Sequence, residues 1–504
     1  MRQSEIRVAK NTFFLYVRML LVLLINLYTS RVILKTLGFE DYGIYNLVAG
    51  LVSLFAFMNS SLSGAASRFI AYSLGDGRNE SRSVFSTILT IHSIVAIAIV
   101  IICESIGMLF FDRLVIPEGR IFAAKIAFHI SVVATAISVL RIPYNASIIA
   151  HENMKIFAYV SIVEVLLKLL IVYLLNVILF DKLITYSWLY LTVVLLVSII
   201  YAIYCIRTYP DAAVSPGFDK EKFKTILGFF SWDLYGNLSV AANAQGTNII
   251  LNLFGGVITN AACAIANQVR TAVSGFSTNF MLAMNPQIIK SYAAGEMEDM
   301  IVLIRKGGLL SFMLLWIFSL PLLIEAEYVL QLWLGDFPND AVVFTRLSLV
   351  FSLIQAMYSS VNIGIHATGK ILKLSLIGGS VLIGAVVMSY VSLSFGGPLW
   401  LPFMFNVAAV SLNAFINVAI LHSNMKQFQV WNYYLHVFVK CIIIAVITSV
   451  IPLFIHMTLH TGMFRLLAIC LVTAFSVLLT FWFGMLNSAD RKMWLSKISR
   501  ISHE

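Results

Sequence analysis

Arg18, Arg141, Lys168, Asp233 and Arg270 stand inside stretches of sequence that are otherwise almost wholly apolar. A charge carried to the centre of a bilayer costs at least about 2.5–3.5 kcal/mol on insertion scales, so each needs a partner, water or a ligand. Arg18, Arg141 and Arg270 have no carboxylate within one helical turn along their own segments. Unpaired guanidiniums of this kind suit a phosphate-bearing substrate, because their planar fork donates bidentately. Asn237, Asn267 and Thr271 supply the amides and the hydroxyl that a hydroxyl-rich ligand would need. Blander readings stay open. Glu164 and Lys168 are spaced i,i+4 in the favourable order and would neutralise each other. Arg18 would snorkel, or pair with Asp233. Arg68, Lys125, Arg346 and Lys440 sit near segment ends and read as snorkelling chains, while Glu104 lies toward the end of its segment with no assigned role.

No catalytic constellation accompanies these charges. The sequence has no phosphate-binding GxxxxGK[ST] loop, nucleophile elbow or HExxH pair, and no glycine-rich turn following a strand. Cys103, Cys205, Cys263, Cys441 and Cys470 are isolated within apolar runs, so they read as buried thiols. His456 and His460 have metal-ligand spacing but no acidic residue near them along the chain. The expectation is a protein without catalytic residues, cofactor or metal, whose energy comes from an ion gradient, the membrane potential or product removal.

The elements that must position these groups are membrane-spanning helices. Of 504 residues, 60% are hydrophobic and 12% charged, and mean hydropathy is +0.91. Soluble domains carry about 25% charged residues, so this chain lacks the polar surface to face water. Spans of roughly 20 apolar residues are expected at about 12–34, 43–72, 84–111, 122–150, 155–179, 184–206, 225–254, 257–288, 304–324, 342–366, 372–395, 400–421, 433–456 and 464–486. The first is a retained helix rather than a signal peptide: it is too long, contains Arg18 and lacks a small-residue cleavage site. Lys and Arg favour alternate loops about threefold, which places both termini and the polar linker from Arg207 to Lys224 on the cytoplasmic side. The net charge of +10 is therefore topological and gives no reason to invoke nucleic acid.

A weak internal repeat divides the chain. Ile33-Leu34-Lys35-Thr36-Leu37-Gly38 resembles Ile250-Leu251-Asn252-Leu253-Phe254-Gly255, and Tyr72-Ser73-Leu74-Gly75 resembles Tyr292-Ala293-Ala294-Gly295. Each half has an even helix count, so the halves would relate by a pseudo-two-fold along the membrane normal. In the second span Asn46, Ser53, Ser60 and Ser67 recur every seven residues on one face; in the eighth Asn260, Asn267, Thr271, Ser274, Thr278 and Asn285 share a face. Ser53, Ser60 and Ser67 map onto Thr271, Thr278 and Asn285 at one constant offset. Such stripes line a watery cavity or let helices pack closely. The seventh span is polar as well, with Asp233, Asn237, Asn243, Gln245, Thr247, Asn248 and Asn252, which suggests water or a hydroxyl-rich substrate. The expected fold is an all-α integral membrane protein of about fourteen helices. It comprises a six-helix bundle over 1–210, a second over 211–424, and two additional helices with a basic tail over 425–504.

The chain resembles polysaccharide flippases of the multidrug/oligosaccharidyl-lipid/polysaccharide exporter superfamily over nearly its whole length. The carriers are Lys10-Asn11-Thr12, Ser30-Arg31-Val32-Ile33-Leu34, and the most specific run, Leu37-Gly38-Phe39-Glu40-Asp41-Tyr42-Gly43-Ile44-Tyr45. Ser67-Arg68-Phe69 before Leu74-Gly75, and Pro143 with Ala150-His151-Glu152-Asn153-Met154, add to it. The resemblance implies two bundles around a central cavity, alternating access, and export of undecaprenyl-pyrophosphate-linked sugar repeat units across a bacterial inner membrane for O-antigen (lipopolysaccharide) or capsule. Its implied partners are the lipid-linked oligosaccharide, membrane lipid, a coupling ion, and the polymerase and glycosyltransferases of the same pathway. Related lipid II flippases place arginines on their first and eighth helices, where Arg18 and Arg270 stand here. Arg141, Lys168 and Asp233 are assigned from their own chemistry. The rival readings are a drug/ion antiporter of the same fold, which would favour carboxylates over arginines, and a membrane glycosyltransferase or polymerase. The latter would display catalytic groups in outer loops, the longest of which is expected at about 325–341.

Overall fold

A computed structural model describes residues 3–53, 56–75, 81–107, 117–175, 177–178, 180–213 and 219–484. Fourteen α-helices and no strand occur among them: α1 Gln3–Ser53, α2 Ala56–Gly75, α3 Ser81–Ile102, α4 Ile121–Ala150, α5 Met154–Leu174, α6 Lys182–Thr208, α7 Lys220–Ala293, α8 Met297–Leu334, α9 Asp340–Thr368, α10 Gly379–Ser394, α11 Leu401–Asn424, α12 Val430–Tyr433, α13 Lys440–Thr458 and α14 Met463–Gly484. Helices dominate because a chain in hydrocarbon must satisfy every backbone polar group internally. Among the described residues ten segments are long and apolar enough to span a membrane, from Ser81–Ser105 to Met463–Trp482. They match ten of the expected spans. The other four fall in α1, α2 and α7, the helices that carry Arg18 and the polar stripes. The basic tail beyond residue 484 lies outside the described residues.

Two boundaries differ from expectation. The first and second spans are expected to part between 34 and 43, yet α1 is one helix through that stretch. Polar residues interrupt the apolar run there, but no proline removes a backbone donor, and a lone Gly38 does not end a helix. The second concerns the outer loop expected at 325–341, which is instead short, because α8 continues to Leu334. Pro321 bends α8, with Glu325 at a non-helical φ −104, ψ 23, and the helix resumes. The expected break between the seventh and eighth spans coincides with Gly256 at φ 69, ψ −166, a conformation open essentially to glycine alone.

Contacts group the residues into two units. The first comprises Asn11–Asn237 with Ile289–Gly295; the second comprises Met1–Lys10, Leu238–Ile288 and Glu296–Glu504. In the first unit α4 is central, packing on α2, α3 and α6, with α5 beside α6. Its buried face is rich in alanine, including Ala123, Ala124, Ala127 and Ala146, which lets backbones approach where no hydrophobic effect drives association. In the second unit α9 packs against α8 and α11, α10 lies on α11, and both α13 and α14 dock on α8. Tyr433 is wholly buried there and donates to the Met357 carbonyl at 2.7 Å. The space it needs comes from Gly308, where a Cβ would stand 2.7 Å from the tyrosine hydroxyl.

Candidate functional site

Four helices of the first unit converge on Glu164. From α4, Arg141 Nη1 donates to Oε2 at 3.0 Å; from one turn along α5, Lys168 Nζ donates to Oε1 at 2.7 Å. Arg141 also lies 5.8 Å from the Tyr201 ring on α6, and Lys168 5.5 Å from the Tyr190 ring. Arg18 reaches in from α1 with its guanidinium 4.4 Å from the Phe157 ring. Glu164 and Tyr201 both act on it electrostatically, and its buried Nε has no hydrogen-bond partner. Two cations thus share one carboxylate and a third acts on it from α1, leaving an excess of positive charge. None of the paired groups is sealed: side-chain exposure is 20% for Arg141, 18% for Glu164 and 28% for Lys168. The structure brings Arg18, Arg141 and Lys168 together and adds Glu164 and Tyr201, which sequence reasoning did not assign to the site. The i,i+4 pairing of Glu164 with Lys168 is present, but Arg141 shares the carboxylate.

Asp233 stands apart from this group. It is buried on α7, where Asn237 Nδ2 donates to its Oδ2 at 3.1 Å and to Ser61 Oγ at 3.0 Å. Among the described residues Arg18 makes no ion pair or hydrogen bond with Asp233, so the expected pairing does not form. Arg68, expected to snorkel, is buried instead; its guanidinium lies 4.2 Å from the Phe69 ring, 5.3 Å from Phe229 and 5.2 Å from Tyr72. Three aromatic faces offer a cation an alternative to reaching the interface. Glu104 pairs with His129 Nδ1 at 2.8 Å.

In the second unit Arg270 lies 5.3 Å from the Phe351 ring and makes no hydrogen bond or ion pair with the described residues. Along the same stripe Asn267 donates to Cys263 Sγ at 3.4 Å, and Ser274 Oγ donates to Ser352 Oγ at 3.1 Å. Thr271 and Thr278 are exposed and return their hydroxyls to their own helix, to Asn267 O and Ser274 O. Several seventh-span amides expected to meet water or sugar are consumed by packing. Asn243 donates to Leu382 O at 3.0 Å and to Asn406 Oδ1 at 2.8 Å, Asn406 donates to Thr247, and Asn248 accepts from Cys263. Inter-helix hydrogen bonds use amides as readily as a cavity does, and sequence spacing does not distinguish the two.

The motif residues form braces in the first unit. Asp41 of the Leu-Gly-Phe-Glu-Asp run accepts from Arg120 Nε and Nη2, and Arg120 Nη1 donates to Asp181, the N-cap of α6. In the His151-Glu152-Asn153 turn, Glu152 adopts φ 60 and pairs with Lys290 at 2.8 Å. His151 stacks on Tyr209 at 3.9 Å and meets Asp211 at 3.3 Å. Burial opposes ionisation of Asp211, but the hydrogen bond and charge of His151 outweigh it, so its carboxyl titrates below the usual range. The segments that the sequence pairs as repeats also touch: the Tyr72 and Tyr292 rings are 6.4 Å apart. His456, expected to lack an acidic neighbour, has one in Glu325, 2.7 Å from its Nδ1. No cluster able to hold a metal ion occurs among the described residues.

Comparison with known proteins places this architecture. A crystal structure of a MATE transporter in its bent conformation aligns with TM-score 0.71 at 15% identity, covering 84% of this chain and 97% of its own. An outward-facing multidrug-resistance MATE transporter of the MOP superfamily aligns with TM-score 0.69 at 14% identity, covering 85% and 99%. A MOP superfamily transporter from Pyrococcus furiosus, whose binding pocket is described as of reversed polarity, aligns with TM-score 0.68 at 14% identity, covering 85% and 98%. These likenesses show the fold, that of a MATE-like transporter. No curated protein matches the chain significantly. The family model described as polysaccharide biosynthesis protein matches residues 8–295, more than half of the chain. The chain therefore belongs to the polysaccharide biosynthesis protein family.

Proposed function

We propose that this protein flips an undecaprenyl-diphosphate-linked oligosaccharide from the cytoplasmic to the outer leaflet of a bacterial inner membrane, by alternating access, to supply surface polysaccharide synthesis. The observation that carries this reading is the excess of cations around Glu164 in a chain of this family. A diphosphate that must leave water needs fixed, desolvated donors, and guanidiniums supply them in pairs. Arg18 and Arg141 are assigned the strongest phosphate contacts, Lys168 a point charge beside them, and Arg270 a second, separate phosphate contact. Asn267 and the exposed Thr271 are assigned to sugar hydroxyls. Asn237, with Asp233 as its orienting partner, completes the set.

The test is complementation of a flippase-deletion strain, scored for surface polysaccharide and for protein in the membrane fraction. Arg18→Ala and Arg270→Ala are each expected to reduce export at least about tenfold with abundance preserved, the scale of losing one charge-assisted contact. Arg18→Lys and Arg270→Lys keep the charge but lose the fork, so partial export is expected. Normal polysaccharide from the Arg18→Ala, Arg270→Ala double variant would overturn the reading.

A further inference from the structure

We infer that Glu164 is a built-in stand-in for the substrate's phosphate: it holds the binding cations when the ligand is absent, gives them up when the diphosphate arrives, and accepts a proton as it does so. The inference rests on the phosphate-binding reading above. Arg141 and Lys168 each spend a donor on one oxygen of this carboxylate, at 3.0 Å and 2.7 Å. Those are the donors a diphosphate would require. Arg18, 4.4 Å from the ring of Phe157 on Glu164's helix, acts electrostatically on this carboxylate and has an unsatisfied buried Nε. The groups facing Glu164 are thus Arg18 from α1, Arg141 from α4, Lys168 from its own helix and Tyr201 from α6, while Tyr190 of α6 lies over Lys168. No second carboxylate is among them.

Without Glu164, three cations would share a half-buried volume with nothing to offset their repulsion or desolvation. The carboxylate therefore makes the empty state tolerable. A diphosphate entering that volume is a like charge to Glu164. Once Arg141 and Lys168 have turned to the diphosphate, Glu164 has lost the ion pairs that kept it charged and lies beside an anion, so it takes up a proton from the aqueous phase, becoming neutral –COOH. When the ligand leaves, Glu164 releases that proton and retakes Arg141 and Lys168. Competition of this kind lowers affinity, and a transporter needs that, since a site that binds too tightly does not empty.

Binding and export should respond in opposite directions. Full-length protein in detergent would be titrated with farnesyl diphosphate, a soluble isoprenoid diphosphate, at about pH 8, where the ligand is largely ionised. Glu164→Gln is expected to bind about tenfold more tightly than the unaltered protein, the factor that goes with removing one competing ion pair, while exporting less polysaccharide. An indicator dye in weak buffer should report net proton uptake on binding by the unaltered protein and none by Glu164→Gln. If Glu164→Gln fails to accumulate, the proton count on the unaltered protein and the affinity of Glu164→Asp, which keeps the charge, decide the question. Binding by the unaltered protein that weakens in Arg141→Ala, but shows no proton uptake and no gain in Glu164→Gln, would overturn the inference and leave the phosphate reading standing. No binding by the unaltered protein, with normal export by Arg18→Ala and Arg141→Ala, would remove both.

Discussion

Glu325 shows what a buried carboxylate costs when it serves structure. Only 2% of its side chain is exposed, and it sits where Pro321 has bent α8. Arg465 Nη2 donates to it at 2.6 Å from α14, His456 Nδ1 meets it at 2.7 Å from α13, and Arg465 also caps the Leu459 carbonyl at 3.2 Å. One acid therefore ties both C-terminal helices to α8. Removing one partner of such a pair is worse than removing both, because a buried charge is left uncompensated. Arg465→Ala is expected to lower stability by about 3 kcal/mol. Adding Glu325→Gln should recover part of that loss, both read as thermal unfolding in detergent. Equal unfolding temperatures for Arg465→Ala and the unaltered protein would show the pair to be dispensable. Glu164 differs in kind: its partners remain part-exposed, which suits a group that must exchange them.

At the scale of elements, the close approach of α2 to the C-terminal end of α7 is set by one residue. A Cβ on Gly75 would stand 2.7 Å from the Lys290 carbonyl oxygen and 2.8 Å from its Cα, both backbone atoms that cannot rotate away. Gly75→Ala should therefore destabilise by about 1–3 kcal/mol. Gly119→Ala, with nothing within 4 Å of its added Cβ, should unfold with the unaltered protein. Matching losses at both glycines would mean that the close approach at Gly75 is not what governs, since helix propensity alone would favour alanine. Most helices were legible from sequence because an apolar run of span length has few other homes. The pairings that hold them were not. Arg141 with Glu164, Glu325 with Arg465 and Asn243 with Asn406 join residues on different helices. Which faces meet depends on packing, and the spacing of residues along one helix carries no record of it. The burial of Arg68 has no sequence signal for the same reason: Phe229, which helps shelter it, is remote in sequence. The cations, by contrast, announced themselves, since an arginine within an apolar run is costly whatever surrounds it.

For the whole molecule, orientation follows from charge outside the spans. Lys and Arg concentrate on alternate loops, so both termini and the linker between α6 and α7 are proposed to face the cytoplasm. Phosphatase fusions after residues 213 and 484 should be inactive while fluorescent-protein fusions at the same points glow. High phosphatase activity at either point would reverse the assignment. The division into units has its own consequence for how the chain can be cut. Residues 220–237 and 289–295, which include the two ends of α7, pack with the first unit, although the stretch of α7 between them belongs to the second. Phe229 against Phe69, Asn237 against Ser61 and Lys290 against Glu152 are the stitches. A gene divided at residue 213 would thus yield two polypeptides that remain buttoned together, because the later one carries strips of the earlier one's fold. Coexpressed fragments 1–213 and 219–504 should copurify from membranes and restore polysaccharide export. Starting the second fragment beyond Asn237 should weaken both, since the Phe229 and Asn237 stitches are then gone and only the strip with Lys290 is left of those three.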